Sequence, residues 1–206
     1  MHEAVFVRVA RFRTISPGFD ATLRDSVLPS IRRSGGAIGV FAGRQGPAEL
    51  GARLIVSLWS SRRAAEEAEP AEEPTGLIGG PLTETTDLQL QVLPVPYWRL
   101  ARPPLTSGVI RLATCRLAAL DVASYTAALS AYLAPMRTEG ADPADVVMAA
   151  VGEDAFVVLS TWRDWDAIEA GTGASISEPV GTRRLAELSA IGVDHFELLT
   201  DIAPVD

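Results

Sequence analysis

Apolar residues in this chain fall into short alternating runs and four-apart stripes, and the same order of runs and stripes occurs twice. Val5-Phe6-Val7-Arg8-Val9-Ala10-Arg11-Phe12-Arg13 is rich in β-branched and aromatic residues, with alternating Arg at its end. That pattern predicts a strand. Pro17-Gly18 ends it. Asp20 is placed to cap a helix whose apolar stripe is Leu23, Val27 and Ile31. Pro29 is expected to kink that helix or end its regular part, and Gly35-Gly36 to stop it. Strands are predicted over 38–44 and 53–59, with a turn at Gln45-Gly46-Pro47 between them. Ser60 or Ser61 then caps a short Ala/Glu helix running to about Glu69. A Pro- and Gly-rich loop follows, and a fourth strand is expected over 87–95.

The second half repeats this order. Strands are predicted over 108–117, 145–151 and 155–162, and Asp121 is placed to cap a helix carrying Tyr125, Leu129, Leu133 and Met136. Asp164 caps a short helix at Trp165-Asp166-Ala167-Ile168. Leu185, Leu188 and Ile191 suggest an extra helix over 179–191 ended by Gly192, before a last strand over 193–200. Leu54-Ile55-Val56-Ser57-Leu58-Trp59 reads against Val157-Val158-Leu159-Ser160-Thr161-Trp162 at a separation of 103 positions (162 − 59). Arg8 and Arg111, Arg13 and Arg116, and Ala64 and Ala167 keep the same separation. A constant offset of this length marks an internal duplication. The fold class it predicts is α+β: two tandem ferredoxin-like β-α-β-β-α-β repeats. The first is expected over 1–96 and the second over 108–206, with a Pro-rich linker over 97–107 that holds Tyr97, Trp98 and Leu100. A sheet with helices on one face needs cover on the other. The repeats are therefore expected to form a pseudo-dimer, an intramolecular α/β barrel, and further homo-dimerisation is left open.

Strand alternation divides the side chains into two faces. Val7, Val9, Leu54, Val56 and Leu58, with Ile110, Leu112, Val157, Leu159 and Thr161, are expected to face the helices. The other parity is then expected inside the barrel: Phe6, Arg8, Ala10, Phe12, Ser57 and Trp59 in the first repeat. Its counterpart in the second is Arg111, Cys115, Ser160 and Trp162. In the last strands Gln89 and Gln91 of the first repeat correspond to His195 and Glu197 of the second. The second repeat thus holds the more reactive set.

Composition narrows the function classes. The 206 residues are 48% apolar and 21% charged, with a net charge of −8, enough for a packed core. All 18 positive charges are Arg, and Lys and Asn are absent. An acidic chain without a basic stripe argues against a nucleic-acid partner. One Cys excludes an internal disulfide framework. No apolar run approaches the ~20 residues of a membrane span. The N-terminus lacks the pattern of a signal peptide, so a cytoplasmic protein is expected. One usable His and one Cys do not make a ligand cluster, so no protein-held metal is expected.

Ser57-Leu58-Trp59-Ser60-Ser61 and Ser160-Thr161-Trp162-Arg163-Asp164 each end a strand in Ser-x-Trp and lead into a capped, Ala-containing helix. Within the β-α-β-β-α-β order, this resembles the antibiotic biosynthesis monooxygenase type of the dimeric α/β barrel superfamily, over nearly the whole chain and twice. The resemblance implies a small-molecule barrel protein. Its cofactor-independent monooxygenases act on aromatic or polyketide-like substrates, and other members bind haem or have no known reaction. The family's oxygenases pair the Trp with an Asn on the first strand; here the aligned positions are Ala10 and Thr114 or Cys115. Haem degraders place a His on the helix after the Trp, where this chain has Glu69 and Thr172.

The expected chemistry is a small aromatic ligand in the second repeat, lying between sheet and helices or in the barrel interior. Arg111 would hold an oxyanion or enolate, His195 would move a proton, and Trp162 would stack the ligand. Ser160, Cys115 and Glu197 would line the site, with Arg8 and Trp59 as the first repeat's counterparts. Glu197 near His195 is expected to raise the imidazole pKa. No cofactor is needed for this reading, since a substrate carbanion can itself reduce oxygen. Packing roles for the two Trp, ion-pair roles for the two Arg and a structural His195 stand beside it. A non-catalytic ligand-binding or association barrel is the alternative, and a haem-binding member is a third.

Overall fold

The computed structural model describes residues 5–14, 18–45, 51–68, 85–101, 105, 107–117, 125–127, 129–131, 133, 143–152, 155–168, 170 and 188–199. Two compact units emerge. The first consists of Met1–Pro94, Arg102–Ser107 and Phe196–Asp206; the second of Val95–Ala101 and Gly108–His195.

In the first unit, β1 (Val5–Thr14) is followed by a helical run, then β2 (Ala37–Gln45), β3 (Ala52–Trp59), helix α3 (Arg62–Glu67) and β4 (Thr85–Val95). Spatial order is β4-β1-β3-β2, the ferredoxin-like arrangement. β3 runs antiparallel to both β1 and β2. Beyond β2 lie Glu197 and Leu198, opposite Arg44 and Gly43.

The helical run has three parts: α1 (Phe19–Thr22), a π turn (Leu23–Val27) and α2 (Leu28–Arg33). Pro29 explains the π turn. A proline ring crowds the carbonyl four residues back and offers no N–H. One residue earlier the Leu28 N–H bonds the Leu23 carbonyl, five residues back, which widens the turn that must admit the ring. The expected stripe is buried, with Leu23, Val27 and Ile31 at 0%, 4% and 3% exposure.

Asp20 does not cap this helix. Gly18 stands at the N-cap without a side-chain bond, and its carbonyl accepts from the Ala21 and Thr22 amides. The Asp20 carboxylate instead accepts from Arg53 Nε at 2.6 Å and Arg44 Nη1 at 3.3 Å. Arg53 is fully buried, and a charge without water takes a partner in preference to leaving Asp20 at a cap that glycine can fill. α3 is capped as expected: Ser61 Oγ accepts from the Ala64 amide at 3.1 Å.

The second unit repeats the plan with β6 (Val109–Leu117), β7 (Asp145–Val151), β8 (Ala155–Trp162) and β9 (Leu188–Leu198), whose residues up to His195 belong to it. Spatial order is β9-β6-β8-β7, with β5 (Tyr97–Arg99) outside β7. Tyr97–Arg99, expected in the linker, thus form a strand antiparallel to β7. The strand β9 also begins at Leu188, where the end of an extra helix was expected. Two apolar residues three apart do not outweigh a sheet edge that satisfies every other backbone amide. The earlier part of that expected helix lies outside the described residues, as do Asp121 and Met136. Tyr125, Leu129 and Leu133 are helical and buried, as expected.

Registers in the two units coincide after the 103-residue shift. Phe6 faces Trp59 and Arg8 faces Ser57 in one; Val109 faces Trp162 and Arg111 faces Ser160 in the other. Gly108 begins β6 at φ +149, and a Cβ there would stand 2.1 Å from the Trp162 carbonyl oxygen, so only glycine fits.

Candidate functional site

The face assignment of the first and third strands is corrected by the cores. In the first unit Ala10, Phe12, Ile55 and Trp59 pack with Phe19, Leu23, Val27, Leu28, Ile31 and Ala65 of the helices. In the second, Val109, Phe156 and Trp162 pack with Tyr125, Leu129, Leu133, Ala167 and Ile168. The Arg-Ser-Trp parity therefore faces the helices. Val7, Val9, Leu54, Val56 and Leu58 share the other face and are also buried. With both parities apolar, alternation groups residues correctly but does not say which group the helices cover. Arg8, Ser57 and Trp59 in the first unit, and Arg111, Cys115, Ser160 and Trp162 in the second, thus share the parity that faces the helices.

Trp59 and Trp162 are held alike. Each indole Nε1–H donates to the Ser two residues earlier, Ser57 or Ser160, at 2.8 Å. In a strand, residues two apart share a face, which brings the hydroxyl under the indole edge. Trp59 is 0% and Trp162 5% exposed, so each is a core ring whose donor is satisfied internally.

Around these rings the repeats differ. Phe12 is 1% exposed and meets Phe19 edge to face at 5.4 Å. Its counterpart 103 positions on is Cys115, a much smaller side chain. Burial pushes the Cys115 thiol pKa up, and Arg111 pulls it back. Arg8 is buried opposite Ser57, whereas Arg111, opposite Ser160, is half-buried.

His195 lies on β9, the neighbour of β6 in the second unit. Its Nε2 is buried and has no hydrogen-bond partner among the described residues. Burial lowers its pKa below 6.5, Arg111 lowers it further, and Asp194 opposes them. The expected rise through Glu197 does not occur. Glu197 is exposed and accepts from Arg44 Nε at 2.7 Å, so its charge is spent there. Trp165, which sequence reasoning left in a helix without a role, lies with its ring centroid 4.7 Å from that of His195. Asp164 fixes its place by capping the helix over 165–168, accepting from the Ala167 amide at 2.7 Å. That bond, then Arg163, holds the Asp164 carboxyl below its ordinary value. Arg62 occupies the matching position in the first repeat and lies over the Phe6 ring at 5.4 Å. The sequence signal was there: an aromatic residue where the other copy has a cation.

A second polar feature also went unread. Asp145 and Thr161, both buried, face each other across β7 and β8. The Thr161 hydroxyl donates to Asp145 Oδ2, and the Ala101 amide donates to Asp145 Oδ1 at 2.7 Å. The corresponding pair in the first repeat is Gly39 and Leu58.

Among the described residues no group of three side chains could hold a metal ion, and no helix is long and apolar enough to cross a membrane.

No protein-family profile matches the sequence, and no curated protein is similar to it. Solved structures do match. Two are described as "putative monooxygenase". The one from Fusobacterium nucleatum has a TM-score of 0.68 at 10% identity, over 99% of this chain and 96% of its own. The one from Lactobacillus acidophilus has 0.68 at 11%, over 98% and 97%. An anthrone oxidase-like protein has 0.56 at 14% identity, over 98% and 92%. The chain therefore has the tandem ferredoxin-like α+β fold that these structures share. Such identities speak for the fold and leave the reaction to the site.

Proposed function

We propose that the helix-covered face of the second repeat binds a small aromatic or polyketide-like molecule and oxidises it as a cofactor-independent monooxygenase. The observation that carries the reading is the buried, unpartnered Nε2 of His195 within the field of Arg111. A buried polar atom without a partner costs stability, and a ligand group that pairs with it recovers that cost. With the proton on Nδ1, Nε2 is a base. Arg111 stabilises the enolate or phenolate formed when an activated C–H loses its proton to Nε2. That carbanion gives its electrons to O2. A CH2 becomes a carbonyl, one oxygen atom stays in the product, and the other leaves as water with the two hydrogens. Ser160 and Trp162 form the floor of this site, and Cys115 stands where the larger Phe12 stands in the first repeat. Arg8 and Trp59 are the first repeat's counterparts. Glu197 is assigned no part, since Arg44 holds it.

The test is oxygen uptake with anthrones and hydroxyquinones, alongside haemin titration. Turnover that falls about 100-fold or more in His195→Gln supports the reading. Binding without oxygen uptake makes the protein a non-catalytic ligand carrier. A Soret band lost in His195→Gln makes it a haem protein.

A further inference from the structure

Trp162 is closed off by its own core, but Trp165 is not. Trp165 is 53% exposed. One side of its ring is set against His195 at 4.7 Å, with 52° between the planes. A ring exposed to this extent can take a flat partner without displacing a protein side chain. The Asp164 cap holds it there. In the first repeat the matching Arg62 covers Phe6, and the position of Cys115 is filled by Phe12 packed on Phe19. An exposed ring, an unpartnered imidazole nitrogen and a small thiol in place of a phenyl ring thus coincide in one repeat only.

We propose that Trp165 is the ring against which the ligand of the second repeat stacks, and that it selects flat π systems over saturated molecules of equal charge and similar size. This inference rests on the binding site proposed above. A flat ring stacks on the indole face over an area that a puckered ring cannot match. Trp165 is a specificity-determining residue here, and the proton moves through His195.

Calorimetric titration with 2-naphthoate and its decahydro counterpart separates the two ideas. Both are anions that Arg111 can hold, and they differ in flatness. Native protein is expected to prefer 2-naphthoate by about tenfold. Trp165→Leu should bring the preference close to one, Trp165→Phe should keep part of it, and Trp98→Leu, at another exposed Trp, should leave it in place. His195→Gln should weaken both ligands alike. A preference unchanged in Trp165→Leu overturns the inference. Equal binding of both ligands by native protein, weakened by His195→Gln, also overturns it while leaving the site intact. No binding of either ligand removes the site and the inference together. Circular dichroism of Trp165→Leu guards against misfolding, which a half-exposed position should not cause.

Discussion

At the scale of single residues, the buried carboxylate of Asp145 is the most sensitive point outside the site. Burial raises its pKa above the ordinary 3.8, while the Thr161 hydroxyl, the Ala101 amide and Arg99 pull it back. A carboxyl whose folded pKa is raised loses stabilising free energy as pH rises from its unfolded value through its folded one. Thr161→Val deletes the first of the counterweights. The variant should lose about 1–3 kcal/mol at neutral pH, as expected for a buried group left without its donor. The loss should shrink at a second, acidic pH below the carboxyl's raised folded pKa, where the carboxyl holds its proton. Urea unfolding at the two pH values measures this, and an equal loss at both would show that the carboxylate charge is not what Thr161 serves. Sequence reading did not find this pair because each member is ordinary alone. What marks them is a polar pair where the other copy has Gly39 and Leu58. Ser57-Trp59 and Ser160-Trp162 were legible, since spacing by two on a strand dictates a shared face. Their neighbours Phe12 and Cys115 were legible as a difference, but not as a difference in space.

At the scale of elements, the π turn and the Asp20 cluster show how helix and sheet are joined in the first unit. α1 is only Phe19–Thr22, yet its Asp20 reaches β3 through Arg53 and β2 through Arg44. Glu197 extends the chain of charges on the far side of Arg44. Arg53 is fully buried and also donates to the Gly51 carbonyl at 3.1 Å. Arg53→Ala should cost about 3–5 kcal/mol, as for other buried pairs broken on one side. Arg63→Ala, which removes an exposed pair with Glu67, should cost less than about 1 kcal/mol. Thermal unfolding of the two variants side by side checks this, and similar losses would mean that burial of the Arg53 pair carries no weight. Strand and helix positions were legible because each has its own period and its own caps. The cap at Gly18 and the strand at Tyr97–Arg99 were not: the first depends on where Arg53 lies in space, and the second on a free edge of β7.

At the scale of the whole molecule, the order β4-β1-β3-β2 in one unit and β9-β6-β8-β7 in the other followed from the offset of 103 and the β-α-β-β-α-β pattern. The choice of helix-covered face did not follow, because both faces of these strands are apolar. Nor did the composition of the units. The first unit includes Phe196–Asp206, and Leu198 pairs with Gly43 in its sheet. A fragment of residues 1–96 should therefore lack a stable fold, and addition of a separately made 97–206 fragment should restore it. Amide exchange on β2 reads the result. A cooperatively folded 1–96 fragment with protected β2 amides would show that the borrowed strand is dispensable.

That borrowed strand bears on how the protein is made. During synthesis the residues of β1, β2 and β3 leave the ribosome early, but their sheet is not finished on the β2 side until residues 197 and 198 arrive. At about 5–20 residues per second, the partner of Gly43 is roughly ten to thirty seconds behind it. For that interval the β2 backbone offers unpaired amides and carbonyls to any other strand, including those of a neighbouring nascent chain. The unit that is begun first is thus the one completed last, and translation speed over the second half sets how long it waits.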